Sequence, residues 1–386
     1  MLASLDVATA MKIARPSRGA RHPTRSDRRA VLFLANGEAD SAAAERARRF
    51  ASATSVATRV VVRSGGRAAS IRDMAREARH FRPDLVYCID LAVVPLAASA
   101  IACPTVPLVV DTGDYPSAFL RTVKAGLSQV TAALLMEQFV YRRACAVVVR
   151  GQEHARVMRD HGVEAVSVIP DAVDLDLVKP ASDPGLRRQL GLADVLTVGI
   201  AGHFTWYDRL GGGLGWELVH ALELLADVPV HGVLLGAGPG CDRLRELAHR
   251  VGVLERLHIL GRVPYDEYGR YLSLIDICLL TQTNDPSSSV RTTGKLPGYL
   301  AAGRYILASA VGTAATILPE SMIVPYAGAW DPTYPTRLAE RIRALVADPS
   351  LLQEGAGLRG MASAFSYPRA AEQAGRLVDA ILDGSD

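Results

Sequence analysis

Short apolar runs rich in Val, Ile and Leu alternate along the chain with longer stretches in which Ala, Glu, Arg and apolar residues recur at helical spacing. An unbroken apolar run suits a strand buried on both faces, and the mixed stretches suit helices covering it, so the pattern predicts βαβ units and a parallel sheet. From Ala30 the order is VLFLANG, a helix over 42–53, VATRVVVR, a helix over 68–81 and DLVYCID. It continues through PLVVDTGD, a long amphipathic helix over 117–143, ACAVVVR, a helix near 152–161 and AVSVIPD, and a first domain closes near Pro170. A second series starts at VLTVGIAGH and passes through a helix over 214–226, VHGVLLGAGPG, a helix over 241–250, LHILGRVP, a helix over 266–273, DICLLTQ and YILAS. Between the two, VDLDLVKPASDPG carries the prolines and charges of a linker.

The expected architecture is α/β, with two Rossmann-like domains over 29–172 and 173–368 whose parallel sheets face an interdomain cleft. A C-terminal helix over 369–386 is expected to pack back toward the first domain. Ligands of such sheets sit outside the carboxyl ends of the strands, which here means the cleft. Residues 1–28 are rich in Arg, Ser and Pro and read as a disordered basic leader, and Asp6 and Lys12 interrupt the only apolar stretch that an export signal would need. Leu91 to Val110 runs for twenty residues without a charge, as a membrane span would. Pro95, Pro104 and Pro107 instead favour a short helix followed by a buried strand over Val106 to Val110.

A length of 386 residues with 49% hydrophobic content supports two cores. The net charge of +3, from 43 basic and 40 acidic residues, argues against a dedicated nucleic-acid binder. Cys88, Cys103, Cys145, Cys241 and Cys278 are odd in number and scattered, as expected of reduced cysteines in a cytoplasmic protein. No Cys or His spacing suggests a metal site. The helix over 117–143 combines Phe119, Leu127, Leu134, Leu135 and Phe139 with Arg121, Lys124, Arg142 and Arg143. It reads as a buried stripe with solvated ends, or as a peripheral contact with anionic lipid.

The most informative stretch is VRTTGKLPGYLAAGRYILAS, residues 290–309. It reads as loop, helix, turn and strand, and Thr292, Thr293, Gly294 and Lys295 at the helix start offer N–H donors and positive charge to a diphosphate. An ordinary connection with glycine turns is the alternative. Gly236 and Gly238 follow an apolar strand, where a missing Cβ admits a ligand or simply a tight turn. Arg262, Val263 and Pro264 end another strand at the same edge. In the first domain Asn36 and Gly37 end one strand, and Asp111, Gly113 and Asp114 end another. Asp111 or Asp114 there could position or deprotonate an acceptor hydroxyl, or could cap the next helix.

Five segments in order, VIPDAVD, LLGAGPG, ILGRVPYDEYGRYLSLIDICLL, KLPGYLAAGRYILAS and FSYPRAAEQ, resemble one family, the GT-B glycosyltransferases, and within it the retaining family-4 group. The resemblance spans roughly residues 31 to 380 and is most specific after residue 140. It implies a nucleotide-sugar donor held mainly by the second domain, with the base against the backbone of Arg262, Val263 and Pro264. His203, Arg209, Gly236, Gly238, Thr293, Gly294, Lys295 and Leu296 would also bind the donor, with its phosphates and ribose on the KLPGYLAAGRYILAS stretch and Lys295 over the departing diphosphate. The acceptor, unidentified, would enter at Asn36, Gly37 and Asp111. The resemblance further implies retention, no metal and no cofactor beyond the co-substrate.

This sequence also departs from the family. Val290 and Gly298 stand at the positions of two glutamates, His203 stands where an arginine is expected, and Arg209 in a longer Gly-rich loop is the candidate replacement charge. The departures keep two alternatives open: a non-catalytic protein that retains nucleotide binding, and an enzyme using an unusual cyclitol donor.

Overall fold

The computed structural model describes residues 29–384, so the expected leader over 1–28 lies outside the described residues. The first half contributes β1 (Ala30–Ala35), β2 (Ala57–Val62), β3 (Leu85–Ile89), β4 (Leu108–Thr112), β5 (Ala146–Val149) and β6 (Val166–Val168). They form one parallel sheet in the order β2-β1-β3-β4-β5-β6. The second half contributes β7 (Leu196–Ala201), β8 (Trp206–Tyr207), β9 (Gly212–Gly213), β10 (Val230–Leu235), β11 (Leu257–Gly261), β12 (Ile277–Leu280), β13 (Tyr305–Ser309) and β14 (Ile323–Val324). Its parallel sheet runs β11-β10-β7-β12-β13-β14, while β8 and β9 form a small antiparallel hairpin.

Burial on both faces explains why the strands are apolar without alternation. Leu32, Leu34, Val86, Cys88 and Val110 face one side of the first sheet, packed with Met74 and Val94. Val31, Phe33, Tyr87, Ile89 and Val109 face the other, packed with Phe50 of the helix Ala42–Ser52. That second side is completed by Ala370, Ala374 and Val378 of the helix Tyr367–Asp383, so the last helix covers the first sheet. The chain thus crosses twice between the halves. The crossings lie side by side, with Val173 N–H donating to the Phe365 carbonyl at 2.8 Å and Tyr367 N–H to the Val173 carbonyl at 3.2 Å.

The uncharged run after Leu91 divides into the helix Val93–Ala102 and β4, and among the described residues no helix is long and apolar enough to cross a membrane. The single helix expected over 117–143 is two, Pro116–Thr122 and Leu127–Arg143. Lys124 takes a φ of +53° between them, and Gly126 starts the second with its N–H donated to the Gln129 side chain at 3.1 Å. Its apolar residues do not form the expected buried stripe: Val130, Ala133 and Val140 pack inward, while Leu127, Leu135 and Phe139 are exposed.

The carboxyl ends of both sheets face one cleft. Contacts across it join Asp114 to Arg291, the Thr122 hydroxyl to Asp285 at 3.0 Å, the Arg209 guanidinium to the Lys124 carbonyl, and Arg262 to Asp40 at 2.7 Å.

Candidate functional site

β7 ends at Ala201, and Gly202 turns the chain with a φ of +154°. A Cβ at Gly202 would lie 2.8 Å from Lys295 Cε and 3.2 Å from its Nζ, so this glycine makes room for the lysine. Gly236 and Gly238 serve a neighbouring need, since a Cβ on them would lie 1.9 Å from the Gly202 carbonyl oxygen and 2.1 Å from that of Phe204. What they admit is backbone. Gly202 N–H donates to Leu235 at 2.9 Å and Phe204 N–H to Ala237 at 3.0 Å, which fixes the loop that carries His203 and Thr205 into the cleft.

Beside this loop a cavity of about 400 Å³ opens between the halves, walled by His203, Thr205, Glu217, Thr281, Arg291, Thr293, Lys295 and Trp330, with Phe119 and Thr122 at the first-domain side. Lys295 opens the helix Lys295–Ala301 and pairs with no carboxylate among the described residues. Burial pushes its pKa down from 10.5 to about 8, and the nearby Arg291 charge adds to the shift. The Thr293 hydroxyl is buried without a hydrogen-bond partner. Arg291 pairs with Asp114 and lies 5.8 Å from the Phe119 ring.

Several expected residues stand elsewhere. Leu296 is fully buried in the second core and faces no ligand space. Arg209 is exposed and held by the Lys124 carbonyl, and it is Arg291 that lines the cavity. Val290 is buried, and a Cβ on Gly298 would lie 3.1 Å from the Tyr268 hydroxyl, which takes the space a longer side chain would need. Arg262, Val263 and Pro264 do line a cavity, a larger one of about 810 Å³, together with Tyr265, Tyr268 and Gly202. The Tyr265 and Tyr268 rings stack there with centroids 6.3 Å apart. Gly202 therefore separates two cavities, bordering the larger one and abutting the lysine that borders the smaller.

On the first-domain edge the charges are paired with one another. Asp111 is fully buried and accepts from Arg46 Nε at 2.9 Å, from the Tyr87 hydroxyl at 3.0 Å and from Arg150. Arg150 also meets Asp171 at 2.9 Å, and Arg46 donates to the Ile169 and Pro170 carbonyls, each at 2.9 Å. So engaged, Asp111 anchors the sheet end and exposes no surface to the cleft. Asn36 N–H is bound to the Ile89 carbonyl, and a Cβ on Gly37 would lie 1.9 Å from the Ser41 hydroxyl that caps the next helix. Neither residue lines a described cavity, whereas Asp114 stays about half exposed at the cleft.

Two acidic residues had not been singled out from the sequence. Asp90 ends β3 with a φ of +71°, strained for a residue with a Cβ, and burial raises its pKa to about 6 against the opposing charge of Arg150. With Arg46, Arg150, Asp171 and Gly294 it lines a third cavity of about 320 Å³. Its signal was the one that marked Asp111, an acidic residue directly after an apolar strand. Glu217 sits at the inner end of the smaller cavity, and burial raises its carboxyl to about 7. An acidic residue in a first helical turn is ordinarily solvated, so the sequence carried no signal for it. Among the described residues no three His, Cys, Asp or Glu side chains converge as a metal site.

No protein-family model matches the chain. Among curated proteins, a 2-deoxystreptamine glucosyltransferase of Streptomyces kanamyceticus is 24% identical over 254 residues, 61% of this chain, and the match spans 60% of that relative's length. Among solved structures, sucrose-phosphate synthase from Thermosynechococcus elongatus superposes with a TM-score of 0.71 at 17% identity, covering 93% of this chain and 100% of the other. Anabaena Alr3699/HepE, solved with UDP-glucose, gives 0.68 at 18% identity, covering 91% and 99%. WaaG, a glycosyltransferase involved in lipopolysaccharide biosynthesis, gives 0.67 at 15% identity, covering 90% and 99%. The chain has the two-domain GT-B fold of these glycosyltransferases.

Proposed function

We propose that this protein is a glycosyltransferase that moves a sugar from a nucleoside-diphosphate donor to a hydroxyl or amine of an acceptor, with retention and without a metal or cofactor. One observation carries the reading: Lys295, lacking a carboxylate partner among the described residues, stands at the junction of two cavities. The larger cavity suits a base, with the Val263 and Pro264 backbone at its wall and two tyrosine rings beside it. The diphosphate then lies at Gly202 against Lys295, Thr293 and Arg291, and the sugar enters the smaller cavity. The acceptor approaches from the first-domain edge, where Asp90 lines the third cavity and Asp114 pairs across the cleft with Arg291.

As the glycosyl bond breaks, negative charge grows on the departing diphosphate, and the fixed cations Lys295 and Arg291 stabilise that charge more than the ground state. HepE was solved with UDP-glucose, which makes UDP the first nucleotide to test, and the Streptomyces kanamyceticus relative is named for 2-deoxystreptamine, a diamino ring compound. All five cysteines are unpaired, in keeping with a reducing cytoplasmic setting.

Thermal shift with UDP, GDP, dTDP and ADP tests the reading, since a ligand at a hundred times its Kd adds about 2.7 kcal/mol to stability. One nucleotide should stabilise the protein and lose its effect in Lys295→Ala, and no stabilisation by any of the four would overturn the proposal. The buried Val290 and the filled space at Gly298 favour a second reading, nucleotide binding without transfer. Turnover of UDP-glucose and other nucleotide sugars separates the two, because only the first releases the donor's nucleoside diphosphate.

A further inference from the structure

The inner end of the smaller cavity holds a carboxyl that the proposed transfer does not use. Glu217, at the start of the helix Trp216–Leu224, is 5% exposed, lines the cavity, and its Oε2 has no hydrogen-bond partner. Among the described residues no cation compensates it; burial outweighs the hydrogen bond it accepts from its own backbone N–H. Further oxygens lie nearby. The Thr281 hydroxyl on the cavity wall sits beside the Tyr334 hydroxyl without a hydrogen bond of ordinary geometry, the Tyr326 hydroxyl is likewise unpartnered, and the Glu217 charge reaches both phenols. Trp330 and Tyr207 present aromatic surface to the same space.

A carboxylate removed from water costs several kcal/mol unless a cation or good donors meet it. Among the described residues two guanidiniums meet Asp111 and none meets Glu217. We propose that the buried side of the cavity at Glu217 is a subsite for a protonated amine on a ring substrate, with Glu217 as its counter-charge and the Thr281 hydroxyl as a further acceptor. An ammonium brings three donors and is attracted to aromatic faces, so it satisfies this oxygen-lined, aromatic-walled end as a neutral hydroxyl does not. Arg291 and Lys295 across the same cavity repel an amine, so the cavity selects a ligand anionic at one end and cationic at the other.

The inference rests on the nucleotide-sugar reading. Two ligands carry the chemistry, an amino sugar on the donor and an aminocyclitol acceptor, and the test distinguishes them. Calorimetry on the full chain would compare UDP-glucosamine with UDP-glucose, and 2-deoxystreptamine with myo-inositol in the presence of UDP. A charge-assisted contact predicts that one amine probe binds about tenfold tighter than its hydroxyl counterpart near neutral pH, and that Glu217→Gln brings the ratio to about one. A preference confined to one pair assigns the amine to donor or acceptor.

A second measurement needs no variant. Because burial holds the Glu217 carboxyl at about 7, the wild-type preference should fade as pH is lowered through that value, where the carboxyl becomes neutral. Of the other groups packed around it, Tyr326 and Tyr334 are pushed up out of range and Asp331 is paired with Arg337. His220 pairs with Glu223, the charged residues of the helix Gly240–Arg250 are exposed, and His203 stands across the cavity with Arg291 and Lys295. Equal affinity within both pairs, or a preference that persists in Glu217→Gln or at low pH, overturns the subsite. Nucleotide binding without an amine preference removes this inference alone; no binding of UDP, GDP, dTDP or ADP removes the earlier reading with it.

Discussion

The two sheet edges that face the cleft carry the same kinds of residue and use them in opposite ways. On the first edge Arg46, Asp111, Arg150 and Asp171 answer one another inside the protein. On the second, Lys295, the Thr293 hydroxyl and Glu217 Oε2 are desolvated and, among the described residues, left without partners. A charge paired internally is spent on structure, and a charge held apart from its own chain keeps its binding capacity for a ligand. The contrast, more than the number of charges at either edge, is what supports proposing the donor site at the second.

The largest effect is expected where pairing is complete. Asp111→Ala leaves two buried guanidiniums facing each other and should cost about 3–5 kcal/mol of stability. Urea unfolding measures it, and a loss below about 1 kcal/mol would mean that the first edge is no more self-sufficient than the second.

Lys295→Ala should do the reverse, lowering turnover by roughly two to three orders of magnitude, equivalent to about 2–4 kcal/mol of transition-state stabilisation, while the fold survives. Near-normal turnover would remove the phosphate site from this segment. The same lysine sets a pH limit. Its charged form persists below about 8, so nucleotide affinity should fall as pH rises through that value. Its stability effect has the opposite sign: between about 8 and 10.5 the unfolded lysine holds a proton that the folded one has lost, so its contribution to folding improves as pH rises.

Gly202→Ala sharpens the comparison by moving the lysine without deleting it. The added Cβ, 2.8 Å from Lys295 Cε, should displace the side chain and weaken nucleotide binding about tenfold, roughly 1.4 kcal/mol, in a calorimetric titration. Unchanged affinity would show that the position of the ammonium matters little. The smallest effect belongs to the pair that joins the edges. Asp114→Asn breaks a half-exposed contact with Arg291 and should change stability by less than about 1 kcal/mol, since water already screens it.

The sheets were legible because burial on both faces writes itself as unbroken apolar runs such as YILAS and AVVV. The helix over 117–143 misled because Leu127, Leu135 and Phe139 fit an apolar stripe by spacing, yet spacing does not say whether a neighbouring element arrives to cover it. Lys295 was legible from its glycine-flanked helix start. Asp111 was placed at the correct edge but given the wrong partner, because Arg46 and Arg150 lie 65 and 39 residues away in sequence and only the fold brings them to it. Glu217 was invisible for a related reason: its distinction is the lack of a partner, and a sequence does not record what fails to arrive.

The paired crossings at Val173 and Ser366 set how the molecule can open. Two strands of chain tied at one point form a strap, so the halves can swing about it far more easily than they can slide. On the swinging side the cleft is fastened by Asp114 to Arg291, Arg209 to Lys124 and Thr122 to Asp285, contacts that are largely polar and partly wet. A latch of that kind loosens in salt, because exposed charges are screened within about 10 Å at ordinary ionic strength. Ionic strength then acts as a dial on the resting aperture, readable by small-angle scattering as a radius of gyration that grows with salt and shrinks again when nucleotide fills the cleft.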